Sequence, residues 1–236
     1  MRYAIIAAGE GSRLSSEGYT GLKPMVRVNG EMLIDRLIQV FMQNDAESIT
    51  VIINENADEL AAHLQAYDPA VPLQVVTKTT ESSLHSFNEL IAACPGAAEI
   101  CLTTTDAVFE KEEFKQYINM FRASPDSDGL LAVTSYIDDE SPLYIAFDES
   151  HRVSAITDQP AAAPLFVSGG IYCLRRAALD LVPAAIETGV HRMRNYQRML
   201  IEKGLKLYAC PFSKIMDVDH VTDIVKAEQF LNEVEV

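Results

Sequence analysis

The first hundred residues alternate between short apolar runs of strand character and segments of helical spacing, and that alternation leaves few folds open. Residues 3–8 read as a strand, followed by a Gly/Ser-rich loop to about Pro24. Residues 32–43 place Leu33, Ile34, Leu37, Ile38, Phe41 and Met42 at helical spacing. Residues 49–53 are a β-branched run, and Asn56 has the side chain of an N-cap for a helix over 57–67. Residues 73–77 are strand-like, and 82–94 are helix-like, stopped by Pro95 and Gly96. A further apolar run, 100–104, ends at Asp106. This order predicts an α/β fold with a doubly wound, mostly parallel sheet, because parallel neighbours need helical crossovers.

The second half reads differently. Strands are expected at 130–136, 144–147, 153–156 and 165–174, with a Pro/Ala loop at 159–164. Helices follow at about 177–187 and 193–203, the latter with a C-cap at Ile201-Glu202-Lys203-Gly204. A strand at 205–209 and a last helix over 221–234 complete the chain. No internal repeat, low-complexity tail or long linker is visible, so a single domain is expected across the 236 residues.

Charge narrows the partners. Nineteen basic against 34 acidic residues give a net charge of −15, which excludes a nucleic-acid or anionic membrane surface. The same field repels a triphosphate, so local cations or a divalent metal must offset it. The first 27 residues hold Arg2, Arg13, Lys23 and Arg27 against Glu10 and Glu17, a local net of +2. Cys94, Cys101, Cys173 and Cys210 lack C-x-x-C spacing, so no thiolate zinc site is expected; they read as free thiols of a reducing cytoplasm. The chain opens without a basic region and long apolar stretch, so neither a signal peptide nor a membrane span is expected.

The chemistry is concentrated in four places. Ala7-Ala8-Gly9-Glu10-Gly11-Ser12-Arg13-Leu14 follows the first strand. Glycines there let backbone N–H groups approach a phosphate or base. Leu14 stands where a dinucleotide fingerprint needs its third glycine, and no Gly-Lys-Ser/Thr follows, so neither Rossmann fingerprint nor P-loop fits. Arg13 and Lys23 supply two cations to the same loop. Asp106 closes the fourth strand, where open α/β sheets take ligands, and carboxylate oxygens suit Mg²⁺. Asp217 and Asp219 precede the last helix, where one of them can serve as its cap. Gly169-Gly170, taken by itself, reads as a β-bulge. His85 lies on a helix face and either packs or touches a ligand.

In order, residues 7–14, Leu22-Lys23-Pro24-Met25, Val28-Asn29-Gly30 and Leu33-Ile34 resemble the signature of the sugar-phosphate nucleotidyltransferases. That family joins a nucleoside triphosphate to a sugar 1-phosphate and releases pyrophosphate. Its alcohol-phosphate cytidylyltransferases and molybdenum-cofactor guanylyltransferases share the opening. The resemblance implies a Rossmann-like fold of the nucleotide-diphospho-sugar transferase type. Residues 1–125 would hold the nucleotide and 126–236 the acceptor. Ala7, Ala8, Gly9, Gly11, Ser12, Arg13 and Ser83 would line the nucleotide, with Arg13 on the leaving phosphates. Lys23 would touch the α-phosphate and the acceptor phosphate. Asp106 and Asp219 would hold Mg²⁺, with Asp217 as the alternative second ligand, and Gly169 and Gly170 would face the acceptor.

Departures from the family pattern leave base and acceptor open. The stretch Thr77-Lys78-Thr79-Thr80-Glu81-Ser82 lacks the Gln that reads uracil or thymine. Ser82-Ser83-Leu84-His85-Ser86 looks closer to the cytidylyltransferase branch. Thr105 stands in place of a common Gly, His220 and Val221 in place of Thr and Pro. The family's Glu-Lys-Pro is present as Asp158-Gln159-Pro160. Two alternatives therefore stand beside the sugar 1-phosphate enzyme: a cytidylyltransferase for an alcohol phosphate such as phosphocholine, and a non-catalytic nucleotide-sugar sensor.

Overall fold

Three strands dense in Ile, Val and Leu form the centre of the molecule. They are β1 (Arg2–Ala7), β4 (Ser48–Ile53) and β6 (Glu99–Thr104), and nearly every residue in them is buried on both faces. Helices on both sides of a parallel sheet require that composition. The computed structural model describes residues 1–160 and 165–234, so the expected 159–164 loop lies mostly outside the described residues.

In chain order, β1 leads to α1 (Ser12–Ser16), a 3₁₀ turn at Lys23–Met25, the small hairpin β2 (Arg27–Val28) and β3 (Glu31–Met32), and α2 (Leu33–Gln43). After β4 come α3 (Asp58–Ala66), β5 (Leu73–Thr77) and α4 (Ser83–Ala93), then β6, β7 (Ala107–Phe109), α5 (Lys111–Ala123) and β8 (Gly129–Thr134). Then follow β9 (Tyr144–Phe147), β10 (Val153–Thr157), β11 (Val167–Arg175), α6 (Arg176–Leu179), α7 (Val182–Glu187) and α8 (Met193–Glu202). The chain closes with β12 (Leu207–Phe212), β13 (Ile215–Asp217) and α9 (Val221–Val234).

Among the described residues the main sheet has nine strands, in the order β10-β9-β11-β6-β1-β4-β5, with β8 on β11 and β12 on β8. β1 pairs parallel with β4 and β6, β5 parallel with β4, and β12 parallel with β8. The strands of the second half enter through β11, which runs antiparallel to β6 and β8. One face of the sheet buries Tyr3, Phe41, Phe114 and Phe121 under α2, α3 and α5. The other buries Phe87, Leu90, Tyr196 and Leu200 under α4, α7 and α8.

Four local expectations are corrected. Asn56 does not cap α3: Ala57 is the N-cap, without a side-chain cap bond. Instead Asn54 Oδ1 accepts from Asn56 N at 3.0 Å, closing the preceding turn. The helix expected over 177–187 is two short helices, α6 and α7, because Pro183 near the start of α7 has no N–H to continue the first. The strand expected at 205–209 lies at Leu207–Phe212, since residues 203–205 close α8. The C-cap itself matches: Gly204 has φ +81°, and Leu205 N bonds Leu200 O at 3.0 Å. Helix α5 is absent from the expectations, although Phe114, Tyr117, Ile118 and Phe121 have helical spacing and are all buried. The cysteines are free; Cys94, Cys101 and Cys173 are buried and Cys210 is half-buried.

Candidate active site

The strand order changes direction at β1. The chain runs outward from β1 through β4 to β5, then returns to lay β6 on the other flank. The crevice beyond the carboxyl ends of two such strands is where open α/β sheets take ligands. Here those ends are Ala7, leading into the glycine loop, and Thr104, leading into Asp106. Thr105 N donates to Ile6 O at 3.1 Å and holds the two ends together.

The glycine loop reaches the crevice because Gly11 bends it. Its φ of +60° is a left-handed conformation, and a Cβ there would stand 3.0 Å from the Lys23 Cβ. Lys23 is thereby pressed against the loop from the 3₁₀ turn. Its ammonium donates to Asp106 Oδ2 at 2.5 Å and to Asp219 Oδ1. Arg13 Nη1 donates to the other oxygen of Asp219 at 2.5 Å, and its Nη2 lies 3.7 Å from Glu140. Burial alone would lower the Lys23 ammonium, but Asp106 and Asp219 outweigh it and hold it above its ordinary range. Burial pushes the Asp106 carboxyl up, and the Lys23 charge outweighs that too, leaving it below the ordinary carboxylate range.

Asp219 arrives from far along the chain. β13 pairs antiparallel with β7, setting Asp217 opposite Ala107 and Met216 opposite Val108. Val218 N then donates to Asp106 O at 3.1 Å, so Asp217 and Asp219 straddle the strand end that carries Asp106. Neither is spent on capping α9. Asp223 Oδ2 accepts from Asp219 N at 3.2 Å and His220 N at 2.9 Å, as the third residue of a capping box does. Glu17 accepts from Val221 N at 2.8 Å and from His220 Nδ1 at 2.6 Å. Asp217 has a large surface open to the cleft yet lies deep among protein atoms. Loss of solvent there, with the charge of Asp106, pushes its carboxyl up.

This donor set fits a divalent cation. Two carboxylates share one nitrogen, so their near oxygens lie within about 5 Å of each other, a gap that small rotamer changes close around Mg–O bonds of about 2.1 Å. Asp106 Oδ1 is buried with no hydrogen-bond partner among the described residues, as is Thr105 Oγ1. An unsatisfied buried carboxylate oxygen is costly unless a ligand completes it.

One cleft surrounds these groups. A lobe of about 310 Å³ is lined by Gly9, Gly11, Ser12, Arg13, Lys23 and Asp106. A second, also about 310 Å³, is lined by Ser83, Gly170, Tyr172, Arg192, Arg194 and Asp217, among others. Between them lies an acidic vestibule with Tyr136, Asp138, Asp139, Glu140, Gly169 and Asp217. The structure thus brings Gly9, Gly11, Ser12, Arg13, Lys23, Asp106 and Asp219 to one lobe. It sets Ser83 with Gly170 in the other, which shares Ile6, Thr104 and Asp106 with the first. Ala7 is buried and lines a hollow beside Leu22, Asn54 and Leu60 that shares Gly9 and Lys23 with the first lobe. Ala8 packs partly on the core under α4.

The glycine pair forms a bulge on the wall of the cleft. The register of β11 against β8 shifts between Ser168 and Tyr172, which is a bulge. Gly170 has φ +72°, and a Cβ there would meet Thr104 Oγ1 at 2.9 Å. At Gly169 it would meet Ile215 Cδ1 at 2.3 Å. Glycine is needed for packing at both positions, and both also line the cleft.

The expected basic patch of residues 1–27 does not form. Arg2 donates to Pro95 O at 2.8 Å at the opposite end of β1, and Arg27 donates to Gly30 O at 2.6 Å. Only Arg13 and Lys23 of the four reach the cleft. Arg192 and Arg194, with Asp139 and Glu140, were not singled out by the sequence. The only signal for the two arginines is the basic cluster Arg192, Arg194 and Arg198 at the start of α8, and it becomes meaningful once α8 docks beside α4. Asp158, from the altered Asp-Gln-Pro, pairs with Arg194 at 2.9 Å and Arg198 at 2.7 Å.

The sequence model of the family described as nucleotidyl transferase matches residues 3–234. Among curated proteins nothing matches the chain. The inositol-1-phosphate CTP transferase from T. maritima superposes with a TM-score of 0.80 at 18% identity, covering 100% of this chain and 96% of that one. A Bacillus anthracis protein described as a glucose-1-phosphate thymidylyltransferase, solved with sucrose, gives 0.84 at 15% identity, covering 99% and 96%. A CMP:2-keto-3-deoxy-manno-octonic acid synthetase solved with CTP gives 0.75 at 15% identity, covering 100% and 99%. At such identities the likeness is one of fold.

Proposed function

Because the chain belongs to the nucleotidyl transferase family, we propose that it transfers a nucleotidyl group from a nucleoside triphosphate to a sugar 1-phosphate, releasing pyrophosphate in a Mg²⁺-dependent reaction. The observation that carries this is the convergence of Lys23, Arg13, Asp106 and Asp219 at the ends of β1 and β6. In this reading residues 1–125 bind the nucleotide and 126–236 the acceptor. Gly9, Gly11 and Ser12 offer backbone N–H groups to the triphosphate. Arg13 steadies the departing pyrophosphate. Lys23, on its flexible stem, swings from the carboxylates to the α-phosphate and the incoming phosphate, offsetting the repulsion between two anions. The step is in-line displacement at phosphorus, in which positioning and charge stabilisation matter more than a protein nucleophile. Asp106 and Asp219 would hold Mg²⁺, whose charge when bound draws electron density off the α-phosphate.

A second acceptor is favoured by a particular observation. Asp138, Asp139, Glu140 and Asp217 make the vestibule strongly acidic, and Tyr136 lies among them. A phosphorylated alcohol with a cationic head, such as phosphocholine, meets its phosphate requirement at Arg192 and Arg194 and its charge requirement in that vestibule. The two acceptors separate in one experiment: pyrophosphate release with each of the four ribonucleoside triphosphates, Mg²⁺, and either sugar 1-phosphates or phosphocholine. Turnover with sugar 1-phosphates alone supports the first reading. Turnover with phosphocholine alone moves the assignment to the second. Release with neither acceptor class, at saturating Mg²⁺, sinks both.

A further inference from the structure

A second group of metal-binding side chains lies outside the Asp106–Asp219 site. Glu81 and His85 flank the start of α4, and His191 stands on the turn before α8. Glu81 Oε2 is 3.8 Å from His85 Nε2 and 4.0 Å from His191 Nδ1. All three donor atoms fall within 4.8 Å of one another. A tetrahedral zinc with bonds of about 2.0–2.1 Å sets its ligand atoms roughly 3.3–3.5 Å apart. The gaps here exceed that by about 1.5 Å at most, within the reach of rotamer adjustment in two open side chains. The Glu81 and His191 side chains are 75% and 61% exposed, so an ion enters freely.

The surroundings favour ligation. His85 Nδ1 is engaged by the Ser82 hydroxyl at 3.0 Å, which leaves Nε2 as the nitrogen turned to the cluster. Such a partner on the far ring nitrogen is the usual support of a metal-bound imidazole. The two imidazole rings lie 5.6 Å apart at 28°. The backbone that presents His191 is held in place. Gly189, at φ +85°, ends α7 with Val190 N bonded to Ala185 O at 3.0 Å. Two residues past His191, Met193 N donates to Ser83 Oγ at 3.3 Å, docking this turn on α4.

We propose that Glu81, His85 and His191 form a second metal site, for Zn²⁺ or a related first-row transition ion. Two imidazoles and one carboxylate with an open position are a donor set that such ions prefer and Mg²⁺ does not. The bound ion fastens the turn that carries Arg192 and leads into Arg194 of α8 to the helix that carries Ser83, on the rim of the second lobe of the cleft. The proposal rests on these three residues alone and stands whichever acceptor the enzyme uses.

The test is titration of the full chain, freed of any polyhistidine tag, with Co²⁺ in millimolar Mg²⁺. Four- or five-coordinate Co²⁺ bound by imidazole gives a visible band that a hexaaquo ion lacks. One equivalent is expected to bind with that band, and Zn²⁺ to displace it. His191→Ala and Glu81→Gln, both at exposed positions, should weaken binding by at least the roughly 10–100-fold that loss of an outer-shell partner costs. Asp219→Asn should leave the band unchanged. No stoichiometric Co²⁺ or Zn²⁺ binding in the wild type overturns the proposal. So does binding that survives His191→Ala, or binding abolished by Asp219→Asn.

Discussion

Lys23 stands between two carboxylates in a position where a shared cation would also stand. Its ion pairs with Asp106 and Asp219 are mostly enclosed, since the Lys23 side chain is 10% exposed. In the proposed reaction the same charge stabilises the transition state, whereas Arg13 grips the leaving group. Lys23→Ala should therefore lower kcat on the order of a hundredfold or more, as loss of one well-placed electrostatic donor does. Triphosphate affinity, measured by calorimetry, should change much less. Near-normal turnover in the variant would reduce Lys23 to an ion-pairing residue and discard the mechanism. The motif around Lys23 was legible in the sequence, but its double pairing was not. Asp106 and Asp219 lie 113 residues apart in the chain, and no local pattern reports on their separation in space.

At the scale of elements, the start of α9 is tied to the loop after α1 through Glu17 and His220. The hydrogen bond that His220 donates to Glu17 raises His220 above its ordinary value of 6.5, and the same bond lowers Glu17 below 4.5. The His220 contribution is complete below pH 6.5 and is lost as pH rises through its raised value. The Glu17 contribution is complete above pH 4.5 and is lost as pH falls through its lowered value. The contact is therefore fullest at pH 4.5–6.5. The stability difference between wild type and His220→Ala, followed by urea denaturation, should be largest there and shrink toward pH 8–9. A difference that stays flat from pH 5 to pH 9 would show that the ion pair adds nothing beyond the backbone cap. The sequence pointed to Asp217 or Asp219 as the cap, because short acidic side chains before a helix usually serve there. The cap actually comes from Asp223, inside the first turn, and from Glu17, more than two hundred residues earlier.

Across the whole molecule, α5 fastens two strands of the second half, β8 and β11, through one buried hydroxyl. Tyr117 donates to Leu130 O of β8 at 2.7 Å and accepts from Cys173 N of β11 at 2.8 Å. Tyr117→Phe removes the hydrogen bond that each of these two backbone groups makes to the hydroxyl. It should cost about 1–3 kcal/mol in equilibrium unfolding, with kcat unchanged because the hydroxyl is remote from the cleft. A loss below about 0.5 kcal/mol would mean that the neighbouring strands re-pair without it.

The sequence by itself determined the parts that local physics controls. Apolar periods of two and 3.6 marked the strands and most helices, and their alternation implied the parallel sheet. The glycine loop with Arg13, Lys23 and the strand-end Asp106 marked the crevice, because strand, loop and motif are contiguous. Only the tertiary structure decided what those residues face. Three-residue strands β7 and β13 carry no periodicity to read, yet their pairing delivers Asp217 and Asp219 to Asp106. Docking of α8 against α4 likewise turned Arg192 toward the cleft and His191 toward His85. Contacts between residues a hundred or more positions apart depend on how faces pack, and packing is a property of the whole core rather than of any window of sequence.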